Sequence, residues 1–326
     1  MIYRKRGLDK KAIAMTFDWI FAIIVGGFIL FFAVFSAGKF IRTSEQVLYT
    51  ETAASLISLF DPLETGLASG KSSEIIFKKK SKIFWGCNEN SNKPFGKQTI
   101  RFTEQTFGDE YGEAGQEITI KDKYVFSENV VEGKEMYYFT KPFFAGFKVN
   151  DLLIIYSNQN NYCVYNANED FQDDIEGLNL KNINFPNKTD KCDGIEICFG
   201  GVGGRKCDIK VFEDQNYVLK NGRKLYYVND LIYGAVFSSS EIYECNVKRI
   251  KSRFNELAQI YLDKIEVIER KNCEPKLGPK LAILIEENIR NSNDLLLFNE
   301  KIGEINEINQ RAKDGCKVYY NINWER

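Results

Sequence analysis

Eight cysteines and no histidine set the chemical repertoire of this 326-residue chain. Without histidine there is no Ser-His-Asp triad, no Cys-His pair, no HExxH zinc site and no imidazole titrating near neutral pH. Catalysis would have to run on carboxylates, Lys, Tyr, Ser or Cys. The cysteines stand at Cys87, Cys163, Cys192, Cys198, Cys207, Cys245, Cys273 and Cys316. No two have the C-x2-C spacing of a zinc site. An even number in a segment outside the cytoplasm reads as disulfides. Cys198 and Cys207 flank Gly200-Gly201-Val202-Gly203-Gly204 and are expected to bridge a hairpin tip. The glycines lack the GxxxxGK[ST] form of a phosphate loop. Cys273 and Cys316 are expected to meet if three C-terminal helices run up, down and up. Cys245 begins the first of these helices, about 40 Å from Cys273, too far to pair with it. The partners of Cys87, Cys163, Cys192 and Cys245 stay open.

Two further patterns are weaker. Asn166, Asn168 and Asp170 have the alternation that opens a calcium loop. Phe171 and Gly177 stand where that loop needs Gly and Glu, so a solvated acidic loop is the simpler reading. Asn187-Lys188-Thr189 is a glycosylation sequon in the same polar stretch. Aspartate and glutamate total 45, and aromatic residues are as common. A tethered hydrolase with paired carboxylates is therefore an alternative, although composition cannot place two carboxylates across a cleft. No motif calls for a metal or cofactor. The net charge of −1 argues against a nucleic-acid partner, which draws a basic domain or stripe.

Trp19 to Gly38 is a run of 20 residues without a charge. As a helix it is about 30 Å long, the thickness of one bilayer core. Residues 1–11 carry a net +4 and the other flank only Lys39 and Arg42 before Glu45. The positive-inside rule therefore places the N-terminus in the cytoplasm and the bulk outside. Asp18 contributes −1 at the inner end of the span, and the exterior sums to −4. An ionisable group there is either an interfacial carboxylate or a partner for a neighbouring subunit's charge. Ser36-Ala37-Gly38 is a loose signal-cleavage site, but the apolar run is longer than a cleaved signal usually has.

A short basic leader, a small residue and then an apolar helix with an acidic residue near its start resemble the type IV pilin-like proteins, including archaeal ones. Ala12 after Lys11 would be one processing point, leaving Ile13-Ala14-Met15-Thr16-Phe17-Asp18-Trp19; Gly7 after Arg6 would be another. Asp18 would be the sixth residue after Lys11-Ala12, whereas bacterial pilins carry Glu at the fifth. After Arg6-Gly7 the helix would open on Asp9, Lys10 and Lys11, which the family avoids. The resemblance covers roughly residues 4–60 and implies a long N-terminal helix in a surface filament subunit.

The elements follow from periodicity. Residues 39–60 contain no Gly or Pro and carry Phe40, Val47, Ala54, Ile57 and Phe60, which predicts one helical face running on from the span. Asp61-Pro62 would end it, and 61–73 read as a loop. A plain stalk helix explains the run equally well. Runs at 74–77, 82–85, 98–104, 117–120, 136–140, 151–157 and 161–167 read as antiparallel strands, with Asn158–Asn161 as a hairpin turn. Residues 168–190 read as an acidic polar loop and 191–237 as disulfide-braced hairpins, with Asn221-Gly222 a strong turn signal. From 245 the period becomes helical through Val247, Ile250, Phe254, Leu257, Tyr261, Ile265 and Ile268. Pro279 starts a second helix lined by Leu281, Leu284, Ile285 and Ile289. Asp294 caps a third, Gly315 ends it, and 316–322 return as a strand.

The expected class is thus α+β: a tail over 1–11, a transmembrane helix over 12–38 and a stalk helix over 39–60. Then come a β-rich ectodomain over 61–167, the acidic loop over 168–190, hairpins over 191–237 and a helical subdomain over 238–326. The expected function is a single-pass, membrane-anchored, extracytoplasmic structural or interaction protein and not an enzyme. Its partners would be membrane lipid and other membrane or surface subunits; a receptor ectodomain is a further alternative.

Overall fold

The computed structural model describes residues 17–60, 72–89, 95–106, 108–201, 204, 206–271, 273–313 and 315–320. Ala12 and Gly7 and most of the 61–73 stretch lie outside these. The first element is α1 (Phe17–Leu59), one uninterrupted helix of 43 residues, about 65 Å long.

The first sheet is formed by β1 (Ser72–Asn88), β2 (Lys97–Glu104), β3 (Ile118–Ile120), β4 (Tyr124–Phe126), β5 (Val130–Ala145) and β6 (Phe147–Ser157), in the order β3-β2-β1-β5-β6-β4. Its pairs are antiparallel except β4 with β6, which is parallel. In β5, Tyr137 and Phe139 enter the main core while Met136 and Tyr138 enter a second core under α1. Likewise Leu152, Ile154 and Tyr156 of β6 face the main core, and Leu153 and Ile155 the second. Burial on both faces explains why these strands read as continuous apolar runs and not as alternation.

The second sheet comprises β7 (Tyr162–Tyr165), β8 (Ile183–Asn184), β9 (Ile195–Phe199), β10 (Ile209–Phe212), β11 (Tyr217–Lys220) and β12 (Arg223–Tyr226), in the order β12-β11-β10-β9-β7-β8. Here β7 with β8, β7 with β9 and β9 with β10 are parallel. The expected antiparallel-only ectodomain is corrected accordingly. Asn158–Asn161 is not a hairpin turn, because β6 and β7 belong to different sheets. The Asn182 side-chain amide donates to the carbonyls of Ser157 (3.2 Å) and Asn160 (2.6 Å) and holds that crossing. Nor does the glycine cluster cap a hairpin. The Asp208 carboxylate accepts the Glu196 amide at 2.9 Å and sets the start of β10 beside the start of β9, in parallel. Asn221-Gly222 does turn β11 into β12; both residues have positive φ (51° and 76°), as a type I′ turn requires.

The expected acidic loop contains α2 (Glu169–Glu176) and β8. Asn168 caps the helix by accepting the Phe171 amide at 2.7 Å, Glu169 and Asp170 lie in its first turn, and Phe171 and Ile175 are buried. The calcium-like spacing is therefore a capped helix start.

The C-terminal part has α3 (Leu231–Phe237), α4 (Ser240–Glu269), α5 (Gly278–Glu286) and α6 (Asp294–Arg311). Here α3 occupies what was expected to be hairpin. Ser239 caps α4, whose first residue, Ser240, lies five positions before the expected start at Cys245. Asp294 is the first residue of α6, not its cap, and Ala312 ends that helix before Gly315. Residues 316–320 are not a strand: the Asn309 side chain accepts the Val318 amide (2.8 Å) and donates to the Tyr319 carbonyl (2.7 Å) instead. The helical stripes share the main core with both sheets and do not form a separate bundle.

Candidate membrane anchor

Trp19, Phe28, Leu30, Phe32 and Phe35 of α1 are all largely exposed, with Leu30 at 67%. None of the most apolar window packs inside the protein. Among the described residues this is the one helix long and apolar enough to cross a membrane. Asp18 lies in its first turn, exposed. A water-soluble body does not leave such a surface bare without a partner or a lipid phase to cover it.

The last four turns of α1 behave differently. Tyr49, Ala53, Leu56 and Phe60 are buried on the first sheet with Ile100, Phe102, Ile120 and Tyr138. The Tyr49 ring meets Phe102 edge-on at 5.9 Å, and Phe60 meets Tyr138 at 5.4 Å. Of the anticipated face, Ile57 and Phe60 do pack on this core, whereas Phe40, Val47 and Ala54 are turned away, with Phe40 76% and Val47 52% exposed. Tyr49 supplies the difference, since its amphipathic ring packs while its hydroxyl stays near the polar rim. Burial, then Glu45 and Glu104, raise the Tyr49 phenol above its ordinary pKa. Close approach is possible because Gly115 faces the helix backbone. A Cβ there would stand 2.7 Å from the Thr50 amide nitrogen. The Thr50 hydroxyl also accepts the Gln116 amide at 2.9 Å, tying α1 to the 105–117 loop.

The body behind this seat is cross-linked. Cys87 pairs with Cys245, Cys163 with Cys192, Cys198 with Cys207 and Cys273 with Cys316. The first joins the end of β1 to α4 across 158 residues. The second and third lie together around Tyr165 on the outer face of β7 and β9, where they stand in for a covering layer. Asn187 is exposed, its amide hydrogens directed to the Asp190 carboxylate at 3.0 and 3.2 Å.

The carboxylates in the body's clefts are held by cations. Burial works against ionising Glu132, but hydrogen bonds from Lys80, Lys82 and Tyr111 outweigh it and hold the carboxyl at about 2. Its neighbour Glu128 pairs with Lys220 at 2.5 Å. In a second cleft, Glu89 pairs with Lys248 at 2.7 Å and Glu287 with Lys301. Lys123, Lys141, Arg249 and Lys251 are buried cations that the sequence pattern does not announce, two of them on α4. Arg249 lies beside Ile250 on the α4 stripe, and Lys251 one position further; neither has a local signature to mark it. Comparison with protein-family models, with curated proteins and with solved structures returns no match.

Proposed function

We propose that this chain is a single-pass, membrane-anchored structural or interaction protein whose disulfide-bonded body lies outside the cytoplasm. The observation that carries this reading is the division of α1. Its apolar half is bare and its other half is seated on a sheet, so one continuous helix would fix the body's orientation to the bilayer. The charge split between the two flanks supplies the direction. Four disulfides fit an oxidising compartment. A pilin-like subunit is the narrower form of the same reading. It is favoured by the uninterrupted passage of α1 from the apolar stretch onto an antiparallel part of the first sheet. In a filament the bare half would pack against other copies of α1.

Protease added to intact cells tests the topology: residues beyond 39 should be digested while a tag at residue 1 is protected. Protection of the body would refute it. Sequencing the N-terminus of the mature protein separates the two forms. A start just after Lys11 or Arg6, or after Ala12 or Gly7, supports the filament subunit; an intact Met1 or Ile2 leaves a plain anchor.

A further inference from the structure

The two buried cations on α4 are built differently. Arg249 is held by five acceptors. It donates to the carbonyls of Phe95 (2.9 Å), Lys121 (3.1 Å) and Lys123 (3.1 Å) and to the side chains of Gln98 (3.0 Å) and Asn246 (2.8 Å), with the Tyr124 ring 4.7 Å away. Three of these acceptors meet at Nη1 and one each at Nε and Nη2, and together they tie Phe95, Gln98 and the 121–123 segment to α4.

Lys251 is 5% exposed and lines an open cleft of about 370 Å³ between α4 and residues 287–290. Its ammonium donates to Asn255 Oδ1 at 2.5 Å and lies 3.4 Å from the Ile285 carbonyl. The Phe254 and Phe298 rings stand 5.7 and 5.6 Å away. An ammonium has three donors, so one lacks an acceptor. Among the described residues no carboxylate lies within 4.0 Å of it. The other charges of the cleft have ionic partners: Lys248 with Glu89, Glu287 with Lys301 through Oε1, its Oε2 being buried without a hydrogen bond, and Arg290 with Asp294 at 4.0 Å. The cleft therefore holds one positive charge with no counter-charge of its own. A buried charge in that condition is costly, and it either sheds its proton or finds a partner.

We propose that this cleft binds a small oxyanion, a carboxylate or a phosphate, with Lys251 as the residue that holds it. The anion supplies the third acceptor and the missing charge, and the side-chain amides of Asn255 on α4 and Asn288 on the facing wall are neutral hydrogen-bonding groups. Burial holds the lysine down at about 8. By linkage, an anion that prefers the ammonium raises that value.

The test is a titration of the full chain in detergent micelles, with ¹³C,¹⁵N-labelled lysine incorporated so that the Cε and Nζ signals of Lys251 are followed. Sodium acetate and sodium phosphate are added separately, against sodium chloride at matched ionic strength. A saturable shift of the Lys251 signal, with its pKa rising by about one unit, is expected for at least one anion; a one-unit rise corresponds to about tenfold tighter binding to the ammonium form than to the amine. Saturation by acetate alone assigns a carboxylate site, and by phosphate alone a phosphate site. Lys251→Gln should abolish binding measured by calorimetry while the circular dichroism spectrum is unchanged. Shifts that match sodium chloride, or undiminished binding by Lys251→Gln, overturn the proposal. Should that variant fail to fold, the labelled wild-type chain decides alone.

Discussion

Removing the four disulfides one at a time should produce losses of stability ranked by the loops they close. In the chain-entropy account, a cross-link acts by restricting the unfolded chain, and the effect grows with the logarithm of loop length. Cys87–Cys245 closes 158 residues, which gives about 5 kcal/mol. Cys273–Cys316 closes 43 residues, for about 4 kcal/mol. Cys163–Cys192 closes 29 residues, for about 3.6 kcal/mol. Cys198–Cys207 closes only 9 residues, for about 2.6 kcal/mol. Each pair is replaced by alanine in the full chain, and guanidinium unfolding in detergent micelles is followed by tryptophan fluorescence. Trp85 is a buried reporter on β1. Deleting two sulfurs is common to all four variants, so the differences isolate the loops. The contrast of about 2.5 kcal/mol between the longest and shortest loops is well above the error of the extrapolation, provided the slopes agree. Equal losses for these two variants, or the reverse order, would refute the reasoning. They would mean that the unfolded chain keeps structure across 87–245, or that packing of the sulfurs dominates.

Two local changes bear on the anchor and its sheet. Gly115→Ala puts a methyl group against the α1 backbone and should cost about 1–3 kcal/mol. Faster hydrogen exchange confined to residues 46–59 and 100–120 would show it, and unchanged exchange there would contradict the seat. Glu132 is held at about 2 in the folded chain, below its ordinary 4.5. A depressed carboxyl stabilises the fold fully above the ordinary value, and the contribution fades as pH falls towards about 2. After screening at its partly exposed position, it is worth about 1–2 kcal/mol. Glu132→Gln should therefore lower stability at pH 7 and flatten the acid limb between pH 4.5 and 2. A parallel limb in the variant would count against the ion-pair cluster.

Much of the design was legible in the residues because it rests on local physics. An uncharged run of 20 residues can only be a long apolar element. Asn221-Gly222 has the one backbone geometry a tight hairpin needs. Cysteines without histidine or metal spacing leave disulfides as their chemistry. The pairing of Cys198 with Cys207 was expected from their flanking the glycine cluster, although that cluster joins parallel strands and not a hairpin, and that of Cys273 with Cys316 from an up, down and up course of the helices.

What only the tertiary structure decided are the relations between elements far apart in the chain. A strand's composition does not reveal whether its neighbour runs parallel, so the parallel pairs β9–β10 and β7–β9 were unreadable. Which face of α1 is buried depended on Gly115 and Phe102, more than 40 residues away, because a helix rotates to suit the surface it meets. The acidic stretch became a helix because Phe171 and Ile175 found Phe199 and Tyr233 to pack against. Burial of a lysine with no carboxylate beside it is likewise a product of three elements meeting, and no residue adjacent to Lys251 in sequence foretells it.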